Sequence, residues 1–258
     1  MKITVLGSGG FFTLNNWHAN FLVEVEDYRL LIDCGSDCRH ALNRQGYSYK
    51  DIHGVFISHL HGDHAGGMEW LGFAKYFDPT QNTPNLYISE SLVQPLWNNT
   101  LSGGMGSLQG KITTLSDYFY VNPIEKNGDF KIGGVVFRLV QTVHVMNGYY
   151  IVPSFGLLVS DGKTNIFMTG DTQYAPEQIN HFYKISGLIF HDCELLYLPD
   201  GKPIFSTVHA HYDKLKSLPK SVKKKMWLNH YQDNIPSFIN APKDGFIGFL
   251  TPGRTFEF

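Results

Sequence analysis

Residues 55–67 have the sequence VFISHLHGDHAGG, in which a short apolar run leads into a turn rich in histidine and aspartate. The apolar run is typical of a buried strand, and the glycines after it favour a turn before a helix. Side chains two positions apart on an extended segment project to the same side, so His59 and His61 can reach one metal ion. The turn then redirects Asp63 and His64 toward a nearby point. Burying four ionisable groups without a partner is costly, so the sequence predicts a site for two divalent ions, about 3.5–4 Å apart.

Four ligands do not complete two metal sites, so the rest of the chain must supply the others. Three later residues, His144, Asp171 and His230, each follow a strand-like apolar run. An α/β fold gathers its active-site groups at the carboxyl ends of its strands. A carboxylate can offer one oxygen to each ion, so Asp171 can bridge the two. Taken singly, His144 or His230 is also explained as a half-buried polar residue, but the cluster at 59–64 favours ligation by the whole set.

The composition is that of a folded globular protein. The chain has 258 residues and a mass of 29.2 kDa, with 43% hydrophobic and 17% charged residues, which excludes a disordered chain. No run approaches the roughly 18 apolar residues of a membrane span, and the first residues lack a signal-peptide pattern. Cys34, Cys38 and Cys193 form no paired zinc motif. We expect a cytoplasmic, disulfide-free protein with no membrane partner, folded as a single domain over residues 1–258.

The charge balance argues against a long nucleic acid as a partner. The formal net charge is −2 and the isoelectric point is near 6.6, so no overall basic field exists to hold a polyanion. The lysine-rich run at 214–225 is interpreted as the solvated face of a helix and its exit turn. Together these features favour a small ligand.

Short β-branched and aromatic runs alternate with glycine turns and helical stretches. The predicted strands are 2–7, 21–26, 29–33, 54–58, 86–89, 134–142, 155–160, 164–169, 188–191 and 226–229. The predicted helices are 37–45, 66–77, 89–97, 176–182 and 212–218. Residues 98–110 and 146–153 are predicted to be loops, and loops of this length often serve as lids or partner contacts.

Two motifs resemble those of the metallo-β-lactamase superfamily. Residues 59–64 are similar to its metal-binding signature, and residues 30–35 are similar to its early motif, in which the aspartate (here Asp33) supports the metal loop. The resemblance implies an α/β fold, a four-layer αβ/βα sandwich with two central mixed β-sheets and a dinuclear site at one edge. It also implies the ligand set: one ion held by His59, His61 and His144, the other by Asp63, His64 and His230, with Asp171 bridging.

Within that superfamily, the chain most resembles the branch of ribonuclease Z and the cyclic-nucleotide phosphodiesterases. In that branch a late histidine donates a proton to the leaving oxygen, and a carboxylate at the end of the preceding strand orients it. The matching residues here are His209 and Asp192. His211, two positions after His209, is the second candidate for the proton donor. Its position matches that of a helix-capping residue in the family.

The chain lacks a feature of ribonuclease Z and resembles another family more closely. Ribonuclease Z carries a long arm for tRNA between the positions that match His144 and Asp171, whereas here they are close enough for a hairpin and little else. In length, metal set and lack of this arm, the chain is similar to the anti-Pycsar proteins, which degrade cyclic mononucleotide immune signals. The resemblance implies a homodimer whose partner subunit contributes to the pocket. We assign that interface to residues 98–121, where Tyr118, Phe119 and Tyr120 form an aromatic run.

The leading hypothesis is therefore a metal-dependent phosphodiesterase that opens cyclic mononucleotides to linear nucleoside monophosphates. Asp63 and the two ions activate the attacking water, and His209 protonates the departing ribose oxygen. Zinc is the expected metal and manganese the alternative. The alternative functions are a ribonuclease Z-like tRNA 3′ endonuclease, a lactone or ester hydrolase of the same fold, and a metal-binding protein without catalysis. The resemblance implies a role in the interaction between host and virus. If the protein is viral, the resemblance implies that it acts in the host cytosol.

Overall fold

The computed structural model describes residues 1–258 and contains two seven-stranded mixed sheets. The first sheet has the strand order β16-β1-β2-β3-β4-β5-β8. Its strands are β1 (Lys2–Val5), β2 (Phe21–Val25), β3 (Tyr28–Ile32), β4 (Gly54–Ile57), β5 (Asn85–Ser89), β8 (Tyr120–Ile124) and β16 (Thr255–Glu257). In each of the two sheets, half of the strand pairs are antiparallel and half are parallel.

The second sheet has the strand order β15-β14-β13-β12-β11-β10-β9. Its strands are β9 (Asp129–Ile132), β10 (Val135–Thr142), β11 (Ser154–Ser160), β12 (Asn165–Met168), β13 (Leu188–Asp192), β14 (Met226–Asn229) and β15 (Gly248–Phe249). A small hairpin of β6 (Ser107–Leu108) and β7 (Lys111–Ile112) stands apart.

Nine α-helices and two other helical turns connect the strands. The α-helices are α1 (Cys38–Arg44), α2 (Gly62–Ala65), α3 (Met68–Tyr76), α4 (Glu90–Pro95), α5 (Ser102–Met105), α6 (Leu115–Tyr118), α7 (Pro176–Ile185), α8 (Tyr212–Leu215) and α9 (Lys220–Lys223). Tyr49–Asp51 forms a 3₁₀ turn and Leu96–Leu101 a π-helical turn.

The alternation of side chains along the strands produces the layers. On β12, Ile166 and Met168 pack into a core of 43 buried residues that both sheets share, whereas Phe167 points into a second core of 18 residues with α7, α8 and α9. Aromatic pairs join the sheets, such as Phe21 with Phe190, whose ring centroids lie 5.6 Å apart. The helix–sheet–sheet–helix order confirms the predicted αβ/βα sandwich. The single domain over residues 1–258 stays a prediction.

The interpretation of residues 98–110 as a loop is wrong. The chain there continues α4 as a π-helical turn and then α5, because Leu101 and Met105 are buried on one face. Tyr118 and Phe119 are also buried within this chain, at 1% and 0% exposure, so they are not available to an interface. Only Tyr120 of that aromatic run is exposed, at 63%. Six strands were not predicted: β6, β7, β8, β9, β15 and β16.

Candidate metal centre

The predicted ligands lie where strands of both sheets end on one edge. His59 and His61 follow β4, and Asp63 and His64 belong to the short helix α2 that comes next. From the second sheet come the ligands His144 after β10, Asp171 after β12 and His230 after β14. Asp192, predicted to orient His209, lies at the end of β13. The site therefore straddles the two sheets, and neither sheet holds it alone.

Three histidines form the first group. His61 Nδ1 lies 3.0 Å from His59 Nε2 and 3.1 Å from His144 Nε2. Two nitrogens bound to one zinc ion at tetrahedral angles lie about 3.3 Å apart, so these spacings suit a shared ion. Burial lowers the pKa of His59, His61 and His144, which keeps the imidazoles neutral, the form that ligates a metal.

Asp63, His64 and His230 form the second group. Asp63 Oδ2 lies 3.2 Å from His64 Nε2 and 3.1 Å from His230 Nε2. Burial alone would raise the pKa of Asp63, but the two adjacent histidines outweigh it and lower that pKa. His230 adopts a left-handed backbone conformation with φ of 61°. Such strain in a residue other than glycine persists only where the surroundings enforce it, and it is typical of functional sites.

Asp171 lies between the two groups. Its Oδ1 is 3.3 Å from His64 Nε2, and its Oδ2 is 3.7 Å from His59 Nε2 and 3.7 Å from His144 Nε2. The preceding residue, Gly170, has φ of 57°, and a Cβ there would lie 3.1 Å from the Phe155 carbonyl oxygen. A glycine at this turn therefore lets the carboxylate reach both groups.

The donor atoms fit divalent metal ions. Within each group, the potential ligand atoms lie within 4.8 Å of one another, and Asp171 belongs to both groups. Asp63 Oδ1 and His64 Nε2 are buried without a hydrogen-bond partner, a costly arrangement unless a further group pairs with them. Imidazole nitrogens and carboxylate oxygens are a donor set suited to zinc or manganese.

Asp33 supports the segment of candidate metal ligands at residues 59–64, as the early motif predicts. It is 4% exposed and accepts three hydrogen bonds of 2.8 Å, from the Ser58 backbone N–H, the Ser58 hydroxyl and His64 Nδ1. Since the His64 Nδ1–H is directed at Asp33, its Nε2 faces the centre of the site. Such an outer hydrogen bond fixes both the tautomer and the orientation of a ligating histidine.

His209 and Asp192 form a pair beside the second group. His209 Nδ1 lies 2.9 Å from Asp192 Oδ2, and the His209 ring stacks on that of His230 with centroids 4.7 Å apart. Burial lowers the pKa of His209, but the Asp192 carboxylate outweighs it and raises that pKa to about 10. The side chain of His209 is 19% exposed, so its ring remains accessible from the adjoining cavity. A protonated imidazole in this place can act as a proton donor.

The other candidate for the donor, His211, lies outside the cluster. Its Nδ1 accepts the backbone N–H of Asp213 and so caps α8, while its Nε2 donates to the Leu196 carbonyl oxygen at 3.0 Å. Both ring nitrogens are thus occupied in a residue that is 1% exposed. This geometry does not support His211 as a catalytic residue and explains its place as a helix cap.

A cavity of about 410 Å³ opens beside His209 and His230. Sequence reasoning missed its other walls, which are formed by residues 10–13, Glu194, Leu196, Ser206, Val208, Gln232 and Asp233. The signals were present: two consecutive phenylalanines follow the glycine turn after β1, and the polar residues Gln232 and Asp233 lie two and three positions after His230. No periodic pattern connects these segments, so only the fold brings them together.

No helix in the structure combines the length and the apolar character needed to cross a bilayer.

The family model described as "Anti-Pycsar protein Apyc1" matches residues 1–256. The chain belongs to the anti-Pycsar Apyc1 family. Among curated members of this family, the protein of Paenibacillus sp. (strain J14) is 35% identical over 253 residues, which cover 97% of this chain and 96% of that one. The Apyc1 protein of Bacillus phage vB_BveM-Goe7 is 30% identical over 266 residues, covering 98% and 96%.

Solved structures show the fold of this Apyc1 family member. The metallo-β-lactamase fold protein YhfI of Bacillus subtilis superposes with a TM-score of 0.72 over 99% of both chains, at 22% sequence identity. This confirms the metallo-β-lactamase fold that the two motifs predict.

Proposed function

We propose that the protein is a metal-dependent phosphodiesterase that hydrolyses cyclic mononucleotides to linear nucleoside monophosphates and so removes immune signalling nucleotides. One observation carries the proposal. Two groups of potential metal ligands, which have Asp171 in common, lie beside the His209–Asp192 pair. Membership of the anti-Pycsar Apyc1 family supports the same conclusion.

The chemistry divides between the ions and the side chains. When bound, two divalent ions, zinc in our proposal and manganese as the alternative, supply positive charge to the phosphoryl oxygens and lower the pKa of a water molecule. His59, His61 and His144 would hold one ion and Asp63, His64 and His230 the other, and the Asp171 carboxylate would serve both. Asp63 also orients the attacking water. His209 gives its proton from Nε2 to the departing ribose oxygen, because Asp192 holds the Nδ1 side of the ring.

The size of the cavity supports a small substrate. A volume of about 410 Å³ lies within the usual range of small-molecule pockets, about 300–1,000 Å³. A long polyanion needs many Lys or Arg contacts along its length, and a net charge of −2 offers no such field. A single cyclic phosphate can be neutralised by the metal ions and a few donors.

Our proposal includes a homodimer and a cytoplasmic location. Tyr118 and Phe119 no longer support the interface, because they are buried in this chain; Ile112 and Tyr120, at 86% and 63% exposure, are the apolar surface that residues 98–121 do offer. Three unpaired buried cysteines suit a reducing cytoplasm, and phage-encoded relatives suit the host cytosol. A fully active monomer in light scattering at micromolar concentration would contradict the dimer.

The test is a substrate panel. The metal-loaded protein is incubated with cyclic mononucleotides, cyclic dinucleotides, a precursor tRNA and a simple lactone, and products are separated by chromatography. We expect linear monophosphates from the cyclic mononucleotides and no comparable turnover of the others. His209→Ala protein that retains its metal is the matched control. Cleavage of precursor tRNA alone would favour the ribonuclease Z-like function, and turnover of the lactone alone would favour an ester hydrolase.

A further inference from the structure

One wall of the cavity is an aromatic loop held in place from the opposite sheet. Asp233, three residues after His230, accepts hydrogen bonds from the Thr13 hydroxyl, from the Leu14 N–H at 2.7 Å and from the Asn15 N–H at 3.1 Å. One carboxylate thus fixes three consecutive residues of the loop. The aromatic residues just before them therefore meet a ligand in a preorganised position.

The two phenylalanines of this loop differ in their surroundings. The Phe11 ring packs over the metal loop, since a Cβ on Gly62 would lie 3.2 Å from it. Phe12 meets the Phe11 ring edge to face, with centroids 5.1 Å apart, and is 90% exposed while lining the cavity. An aromatic ring left in water beside a polar cavity offers its face to a flat ligand, and stacking on an aromatic ring tolerates every base.

The facing wall offers one hydrogen-bond acceptor and one donor. Glu194 is 3% exposed, and its Oε2 accepts the Ser206 N–H at 3.1 Å. Gln232 Oε1 accepts the Leu195 N–H at 2.6 Å, which leaves the amide NH₂ of Gln232 to donate into the cavity. The pairing edge of every nucleobase presents a donor next to an acceptor. A carboxylate beside an amide donor therefore suits adenine and cytosine in one orientation of the ring, and guanine and uracil with the ring turned over.

We propose that this cavity is the base-binding subsite, in which Phe12 stacks on the nucleobase while Glu194 and Gln232 bind its edge. The inference rests on the proposed function and deepens it, because it assigns the residues that bind the part of the substrate remote from the phosphate. It accounts for modest discrimination among bases: stacking ignores base identity, and the donor–acceptor pair matches each edge.

The first experiment compares Phe12→Ala with Leu14→Ala. Leu14 is 86% exposed on the same loop but does not line the cavity, so it is a matched control. KM for cyclic mononucleotides is measured beside that for 1-O-methylribose 3′,5′-cyclic phosphate, which has no base. Phe12→Ala should raise KM for the nucleotides roughly 5- to 150-fold and leave KM for the base-free diester unchanged. Leu14→Ala should change neither.

The second experiment uses Gln232→Glu, which retains the acceptor for the Leu195 N–H and replaces the amide donor with an acceptor. Two acceptors then face the base, a pattern that matches the adjacent N–H groups of guanine. The ratio of kcat/KM for cyclic GMP over cyclic AMP should rise roughly fivefold or more.

The outcomes separate this inference from the function beneath it. A wild-type protein that hydrolyses no cyclic nucleotide overturns both. Normal wild-type hydrolysis with equal KM values for Phe12→Ala and Leu14→Ala overturns the stacking role alone. Normal hydrolysis with an unchanged base preference in Gln232→Glu overturns the assignment of the base edge.

Discussion

Removing the Asp33 carboxylate should destabilise the protein even when no metal is bound. Asp33→Ala leaves buried donors on the Ser58 backbone and on His64 without their partner at 2.8 Å, while the Ser58 hydroxyl retains His59 Nδ1 at 3.0 Å. Each abandoned buried donor costs about 1–3 kcal/mol, and a broken buried charged contact costs about 3–5 kcal/mol. We expect the free energy of unfolding to fall by about 3–5 kcal/mol.

The assay is urea unfolding in EDTA, followed by tryptophan fluorescence and circular dichroism. Asp27→Ala makes the same substitution on an exposed turn and should change the free energy of unfolding by no more than about 0.5 kcal/mol. Competition with a zinc chelator then measures metal affinity, which should be about 10- to 100-fold weaker in Asp33→Ala because His64 loses its orienting partner. Breaking a buried charged contact usually costs about 3 kcal/mol or more. If the free energy of unfolding of Asp33→Ala lies within about 1 kcal/mol of the wild-type value, the reasoning is refuted.

Three further variants test the site. Asp171→Ala should lose both ions at once, because its carboxylate belongs to both ligand groups; elemental analysis that finds just one ion lost would show that it does not bridge. His209→Ala should lower kcat by roughly 10²–10⁴-fold with metal retained, whereas His211→Ala should mainly lower the melting temperature; the reverse pattern would overturn our choice of donor. In Asp192→Asn the pKa of His209 should fall from about 10, since the carboxylate that raises it is gone. A donor acts in its protonated form, so the rate declines as pH rises through this pKa, and the declining limb should move to lower pH. If the limb does not move, the titration of His209 is not the cause of that decline in rate.

The clustering of the candidate metal ligands could be predicted from the sequence because their pattern is local. His59, His61, Asp63 and His64 lie within six positions, and their spacing at a strand end already brings them to one place. The later ligands were accessible by the same reasoning, since each follows an apolar strand. Most strands were predicted for a related reason: each is a short apolar run, as in β4 and β11, whose residues are buried almost throughout.

The parts that could not be predicted depend on contacts between distant residues. Phe119 is buried because Gly72 leaves space for it: a Cβ there would lie 3.1 Å from the Phe119 ring. The glycines at 103–106 suggest a loop, yet the segment is helical because Leu101 and Met105 find a core to enter. Strand β8 contains Pro123 and lies at a sheet edge, so its sequence shows little strand pattern.

The division of the metal ligands between two sheets has a consequence for synthesis. A growing chain displays His59 and His61 on the first sheet well before it contains His144 or His230. Each group of candidate ligands contains residues from both sheets, so a nascent chain that ends before His144 completes neither group. Ion capture would then wait until the second sheet has formed and docked, and the binding free energy would add directly to folding. In this order of events, a bound ion would link two sheets that have already folded, and a chain that lacks His144 and His230 would hold neither ion.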